Sequence, residues 1–135
     1  MTATEETLPE LHFAAGLPGF PDARRFVLVR LGDDASPFSV LRSLDDARDL
    51  EFVVTHPGLF FPDYEPEIDD DIAGRLDLKS ADDALLLVIV TVAVPVAAST
   101  ANLLGPIVVN RHTRSAAQAV LGNSGYATRE ALVRS

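Results

Sequence analysis

Short runs of β-branched and aromatic residues recur along this chain, each cut off after a few positions by glycine, proline or aspartate. That rhythm belongs to a β-sandwich or barrel, since alternating βαβ units would need long amphipathic helices between the runs. Leu11 and Phe13 alternate with polar neighbours ahead of Gly16-Leu17-Pro18-Gly19. In that turn Pro18 fixes φ and Gly19 supplies the positive φ that a type II turn demands at its third position. Residues 25–31 form a strand, 32–37 a strong turn and 38–43 the second arm of a hairpin, with Phe38, Val40 and Arg42 on one face and Leu41 opposite. A polar connection over 44–49 leads to a third strand at 51–55. Residues 85–94 make the longest and most buried strand, ended by Pro95, and 107–109 and 119–121 supply the last two.

One segment breaks the β pattern. Residues 70–76 predict a short helix with Asp69 or Asp70 as its N-cap, more acid in the first turn, and Ile72 and Leu76 four apart on one face; Gly74 keeps it short. The expectation is therefore a mainly β, single-domain, barrel-like fold over 1–135 with one helix near 70–76. Residues 1–10 are poor strand formers, and 128–135 have nothing to anchor them, so both ends are expected to fray.

Composition fits that reading. The chain has 135 residues, 47% of them hydrophobic, and no cysteine, so one apolar core must carry the fold without disulfides or thiolate metal sites. Residues 1–6 are acidic and polar where a secretory signal would be basic and then apolar, which predicts a cytoplasmic protein. The most apolar stretch, 84–98, is interrupted by Thr91 and Pro95 and falls short of the ~20 residues that a membrane helix needs. Its valine and isoleucine content favours a strand, and no membrane contact is expected.

Net charge is −9, which argues against direct nucleic-acid binding, because phosphates are met by Lys and Arg. Residues 1–100 hold 19 acids against 7 bases, whereas 101–135 hold only Glu130 against Arg111, Arg114, Arg129 and Arg134. A basic partner suits the acidic part; the plain alternative is a solubilising surface.

A search for chemistry finds little. His12, His56 and His112 are isolated and show no zinc-ligand spacing, and there is no nucleophile elbow, P-loop or dinucleotide fingerprint. A calcium loop starting at Asp69 would match at Asp71 and Gly74 but fails at Ala73 and at Ser80, where the bidentate glutamate should stand. No metal and no cofactor are expected. Residues 62–71 nevertheless carry six acids and no base: Asp63, Glu65, Glu67, Asp69, Asp70 and Asp71. Beside them stand Phe60, Phe61 and Tyr64, with Pro57, Pro62 and Pro66 stiffening the chain. Aromatic anchors plus steering charge on a stiff loop are the physics of protein recognition. The competing reading makes the two phenylalanines core plugs and the acids helix caps. An enzymatic alternative is an acidic β-domain acting on carbohydrate or a cationic small molecule through Asp63, Glu65 and His56.

Several elements in order give the chain a family likeness: Gly16-Leu17-Pro18-Gly19-Phe20; Ser36-Pro37-Phe38 with Leu41, Ser43 and Asp46; Phe52-Val53-Val54 and Pro57; Asp63-Tyr64; Thr100-Ala101-Asn102-Leu103 with Pro106-Ile107-Val108-Val109-Asn110; then Arg114, Gln118, Leu121 and Tyr126. From Leu11 to Tyr126 the sequence resembles the flagellar assembly factor FliW family. The resemblance implies a non-enzymatic cytoplasmic protein with a small β-barrel-like fold. It implies binding to flagellin in a chaperone-like manner, and binding to the RNA-binding translational regulator CsrA, relieving its repression of flagellin translation by allostery; the acidic patch offers mimicry of RNA as the alternative. The partner surface is expected at Phe60, Phe61, Asp63, Tyr64, Glu65, Glu67, Asp69 and Asp70, with Asn102 and Asn110 as polar contacts at an edge. Four departures from the family pattern stand out. The first strand is short or absent, Arg42 stands where glutamine is frequent, Gly105 where alanine is usual, and Ala116 where glycine is frequent; the last two imply altered turns.

Overall fold

The computed structural model describes residues 10–17, 19–30, 37–45, 50–122 and 124–132. Among the described residues, nine strands, β1 Glu10–Phe13, β2 Arg25–Arg30, β3 Phe38–Ser43, β4 Glu51–Thr55, β5 Ala84–Thr91, β6 Thr100–Ala101, β7 Ile107–Asn110, β8 Ser115–Gln118 and β9 Glu130–Ala131, belong to one sheet, with a single α-helix, α1, at Asp70–Arg75. Strands β1 to β5 form an antiparallel meander, β5 passes to β7 and β7 to β8, and β8 returns to β1. Seven strands thus close a barrel. An odd number of strands running alternately up and down must close with two that run the same way, and the β1–β8 pair is parallel.

Period-two alternation sets the interior. Phe26 faces Ser43 across β2 and β3, Leu28 faces Leu41, Leu41 faces Phe52, and Leu87 faces Ile107, so these residues share the inner face. Phe13, Phe26, Leu41, Val54, Leu87 and Ile107 are almost wholly enclosed, and the Phe13 and Phe26 rings meet edge to face at 5.2 Å. The turn after β1 plugs one end of this core with Leu17 and Phe20. Leu17 N–H donates to Phe20 O at 3.2 Å and Phe20 N–H to Leu17 O at 2.7 Å, with Gly19 at φ 86° in the place that the turn type requires. Gly16 is confined more tightly: at φ 69°, a Cβ there would lie 2.5 Å from Phe20 O.

Strand β5 is apolar on both faces because both are covered. Leu87 points into the barrel, whereas Val88 and Val90 enter a second cluster outside it with Phe61, Ala101, Leu103 and Leu132. Leu86 joins a third with Ile72, Leu76, Val108 and Leu121, where α1 lies on the outer wall. Of the two candidate caps it is Asp69 that caps α1, its Oδ1 accepting from Ile72 N–H at 2.9 Å. At the other end of the helix Asn110 Nδ2 donates to Leu76 O at 2.7 Å.

Along β5 the facing chain is broken. Thr100 and Ala101 pair with Thr91 and Val90, and residues 107–110 pair with 84–87, so the five residues 102–106 bulge out opposite Val88 and Ile89. Asn102 Oδ1 holds the bulge by accepting from Leu104 N–H at 3.1 Å and Gly105 N–H at 2.9 Å.

Several expectations are corrected. The last barrel strand is Ser115–Gln118, not 119–121, because its pairing with β1 is centred on the small residues around Ala116, which lies against Phe13, while 119–121 keep only hydrogen bonds toward residues 104–106. Ala116 is therefore in a strand, not a turn, while Gly105 sits in the bulge. Strand β5 stops at Thr91 rather than 94. The strand before the Gly16 turn is present but only four residues long. The tail does not fray throughout: Glu130 and Ala131 pair with β6, and Leu132 is buried, its N–H donating to Ser99 O at 3.1 Å. The hairpin turn at 32–37 and the connection at 44–49 fall largely outside the described residues, though β2 and β3 do pair as antiparallel neighbours. No helix among the described residues is long and apolar enough to cross a membrane.

Two predictions follow from this packing. Leu132→Ala should lower the unfolding free energy by about 2–5 kcal/mol in urea titrations, whereas a frayed tail would give no change. Acid should also destabilise the protein through Asp45, whose carboxylate accepts from Arg25 N–H at 2.7 Å, Arg24 N–H at 3.0 Å and Arg25 Nε at 2.9 Å. The Arg25 backbone and side-chain bonds hold its pKa below the ordinary carboxylate range. A folded-state value below the unfolded one stabilises the fold at neutral pH, and that contribution is lost as pH falls below about 4 through the lowered value. Asp45→Asn should be less stable than the parent at pH 7, with the gap shrinking as pH drops; a gap independent of pH would contradict this assignment.

Candidate partner-binding surface

Residues 56–76 run across the outer wall of the barrel, and alternate side chains take opposite duties. Pro57 is buried at the start of a single 3₁₀ turn, while Leu59 stands 60% exposed. Phe61 is buried in the second apolar cluster at 3% exposure. Phe60 is half-buried and stacks on Phe38 at 5.8 Å with the rings 20° apart. Tyr64 is partly buried edge to face with Tyr126 at 4.7 Å, and its hydroxyl donates to Leu103 O at 2.7 Å. Burial and the neighbouring Tyr126 push the Tyr64 pKa well up, so the hydroxyl remains a donor. Tyr126 in turn accepts from Glu65 N–H at 3.3 Å.

The carboxylates go the other way. Asp63, Glu65, Glu67, Asp69, Asp70 and Asp71 all lie exposed, while the apolar residues between them, Tyr64 and Ile68, face the barrel. Asp71 pairs with Arg75 one turn along the helix at 3.4 Å, and Asp69 spends one oxygen on the cap. Beside this acidic ridge lies an open depression of about 490 Å³, with Glu67, Asp69 and Asp70 on its rim and Ile68, Val120 and Leu121 along its apolar side. Its chemistry is that of a surface for a protein segment that is basic and partly apolar. His12 lies 3.7 Å from Glu10 and His112 3.1 Å from Asp83, but among the described residues no group of three or more His, Cys, Asp or Glu could hold a metal.

Of the residues singled out from sequence, Asp63, Glu65, Glu67, Asp69 and Asp70 are exposed, whereas Phe61 is buried and Phe60 and Tyr64 are half-buried against the second apolar cluster. The two asparagines serve the fold. Asn110 is 3% exposed, donates to Leu76 O, and accepts from His112 N–H at 2.8 Å and Thr113 N–H at 3.1 Å. Asn110 is thus an internal tie rather than a contact at an edge, while Asn102, half-buried, closes the bulge through its Oδ1. Sequence reasoning missed Leu59 and Val120, the latter 68% exposed, because propensity places such residues inside a strand rather than at the rim of a groove. A second apolar feature, the turn after β5, exposes Val92, Val94 and Val96.

Known proteins resemble this chain in both sequence and fold. A family model described as FliW protein matches residues 1–132. The flagellar assembly factor FliW of Bacillus subtilis (strain 168) is 42% identical over 117 residues, spanning 87% of this chain and 80% of that protein. Its counterpart in Anoxybacillus flavithermus is 41% identical over 120 residues, spanning 89% and 81%. A crystal structure of the flagellar assembly factor FliW matches with a TM-score of 0.86 at 36% identity, covering 100% of this chain and 92% of that one. With the family model matched over nearly the whole chain and the fold shared with a solved member, the chain belongs to the FliW family of flagellar assembly factors.

Proposed function

We propose that this protein acts in the cytoplasm as a non-enzymatic binding partner of flagellin and of a CsrA-type RNA-binding regulator, relieving the regulator's repression of flagellin translation. The observation that carries the reading is the exposed acidic ridge over 63–71, held on the barrel by buried Phe61 and Tyr64, in a chain of this family. An RNA-binding regulator presents basic surface, and a net charge of −9 speeds encounter with it while disfavouring direct contact with RNA. The contact residues are Phe60, Asp63, Glu65, Glu67, Asp69 and Asp70, with Leu59 as an exposed apolar anchor beside them. Because the ridge is built on a barrel wall rather than on a free loop, little order has to be gained on binding. The function needs no cofactor, metal or membrane.

Catalysis through Asp63, Glu65 and His56 is the weaker reading. All three lie open to solvent, whereas catalytic groups work in concave sites that exclude water.

Reversing charge at Asp63, Glu65 and Glu67 together should weaken binding to the CsrA-type regulator by at least about tenfold at low salt, mainly through slower association, with the difference narrowing as salt rises. Titration calorimetry with the parent and the triple lysine variant checks this, and flagellin added to the preformed complex should release the regulator. Equal affinity of parent and variant would contradict the proposal.

A further inference from the structure

The ladder between β7 and β8 continues beyond the end of β8. Ala119 N–H donates to Pro106 O at 2.9 Å and Leu121 N–H to Leu104 O at 2.9 Å, in the same register as Ala117 opposite Val108. Alternation along a strand then turns the backbone groups of Gln118 and Val120 to the opposite side. The neighbour on that side is β1, but its pairing ends at Phe13 opposite Ala116, after which its chain turns away toward Gly16. Among the described residues nothing hydrogen-bonds the N–H or C=O of Val120, and its side chain is 68% exposed. Around Val120 the chain beyond β8 therefore presents an open edge, the feature to which another extended chain adds.

What surrounds the edge says what would add. One flank is the depression rimmed by Glu67, Asp69 and Asp70, and the other is lined by Leu17, Ala117, Gln118 and Arg75. Arg75 is already paired with Asp71, so the unmatched charge along the edge is negative. We infer that residues 118–122 take an extended, basic segment of a protein partner as an added strand, its backbone pairing with Val120 and its lysine or arginine side chains meeting Glu67, Asp69 and Asp70. This inference rests on the reading of the acidic ridge as the face that meets a basic protein, and it adds the mode of contact.

Fluorescence anisotropy with a short labelled peptide of alternating lysine and valine tests it. The peptide should bind the parent protein, and N-methylation of alternate backbone amides, which leaves charge and side chains intact, should weaken binding at least about tenfold. Val120→Pro should do the same, since it removes a donor that the fold itself does not use. Circular dichroism and the urea midpoint report whether that variant is folded, and the N-methylated peptide tests the claim without altering the protein. Failure of the lysine–valine peptide to bind, equal binding of its N-methylated form, or equal binding of a glutamate–valine peptide would each overturn the inference. The ridge reading fails separately: charge reversal at Asp63 and Glu65, which lie outside the groove, tests that reading alone, and would leave peptide binding at the edge in place.

Discussion

Burial of β5 on both faces is the constraint on which the rest of the structure depends. Its inward residues, led by Leu87, complete the barrel interior with Phe13, Phe26 and Leu41. Its outward residues, Val88 and Val90, cannot be left to water, since each buried side chain of this size is worth about 1.5–3 kcal/mol. Something must cover that wall. The chain between β4 and β5 does so, bringing Phe61, Tyr64, Ile72 and Leu76 against it, and the two ends of the chain's last third, β6 and β9 with Leu132, finish the cover.

That duty explains the partition of the candidate surface. A segment that lays its apolar side chains on a wall must turn its remaining side chains outward, and over residues 63–71 the exposed ones are carboxylates. The acids could not face the barrel without unpaired buried charge, so the ridge and the second core are two faces of one packing solution. Asn110 ties the end of α1 to the turn after β7, and Tyr64 ties the start of the ridge to Leu103, so both margins of the surface are fixed to the sheet by hydrogen bonds. The stability of the fold and the geometry of the binding face therefore share the same residues.

Much of the fold was legible in the residues themselves. The uninterrupted apolar run after Ala84 announced a strand covered on two sides, Gly19 announced its turn, and Asp69 announced the helix it caps. Local signals were strong there because each depends on neighbours in sequence. What could not be read depends on distant neighbours. Ala116 joins the closing strand because Phe13 and Val109 flank it, although its own propensity is weak. Glu130 and Ala131 become a strand only because β6 offers an edge. The acidic segment was visible as composition, but the division of its aromatics into Phe60 at the rim and Phe61 in the core depends on which wall they meet. Asn110 reads as a surface residue until α1 is placed against it, and the open edge at Val120 exists only because β1 is short.

The most direct measurement of the central claim, that one segment closes the outer core and presents the binding face, is hydrogen exchange of the full chain with and without a CsrA-type partner. In the free protein, amides next to buried Phe61, Ile72 and Leu76 should exchange slowly, and on complex formation new protection should appear over residues 59–71 and 117–122. Protection confined to the opposite wall, on β1, β2 and β3, with none over 59–71, would contradict the account.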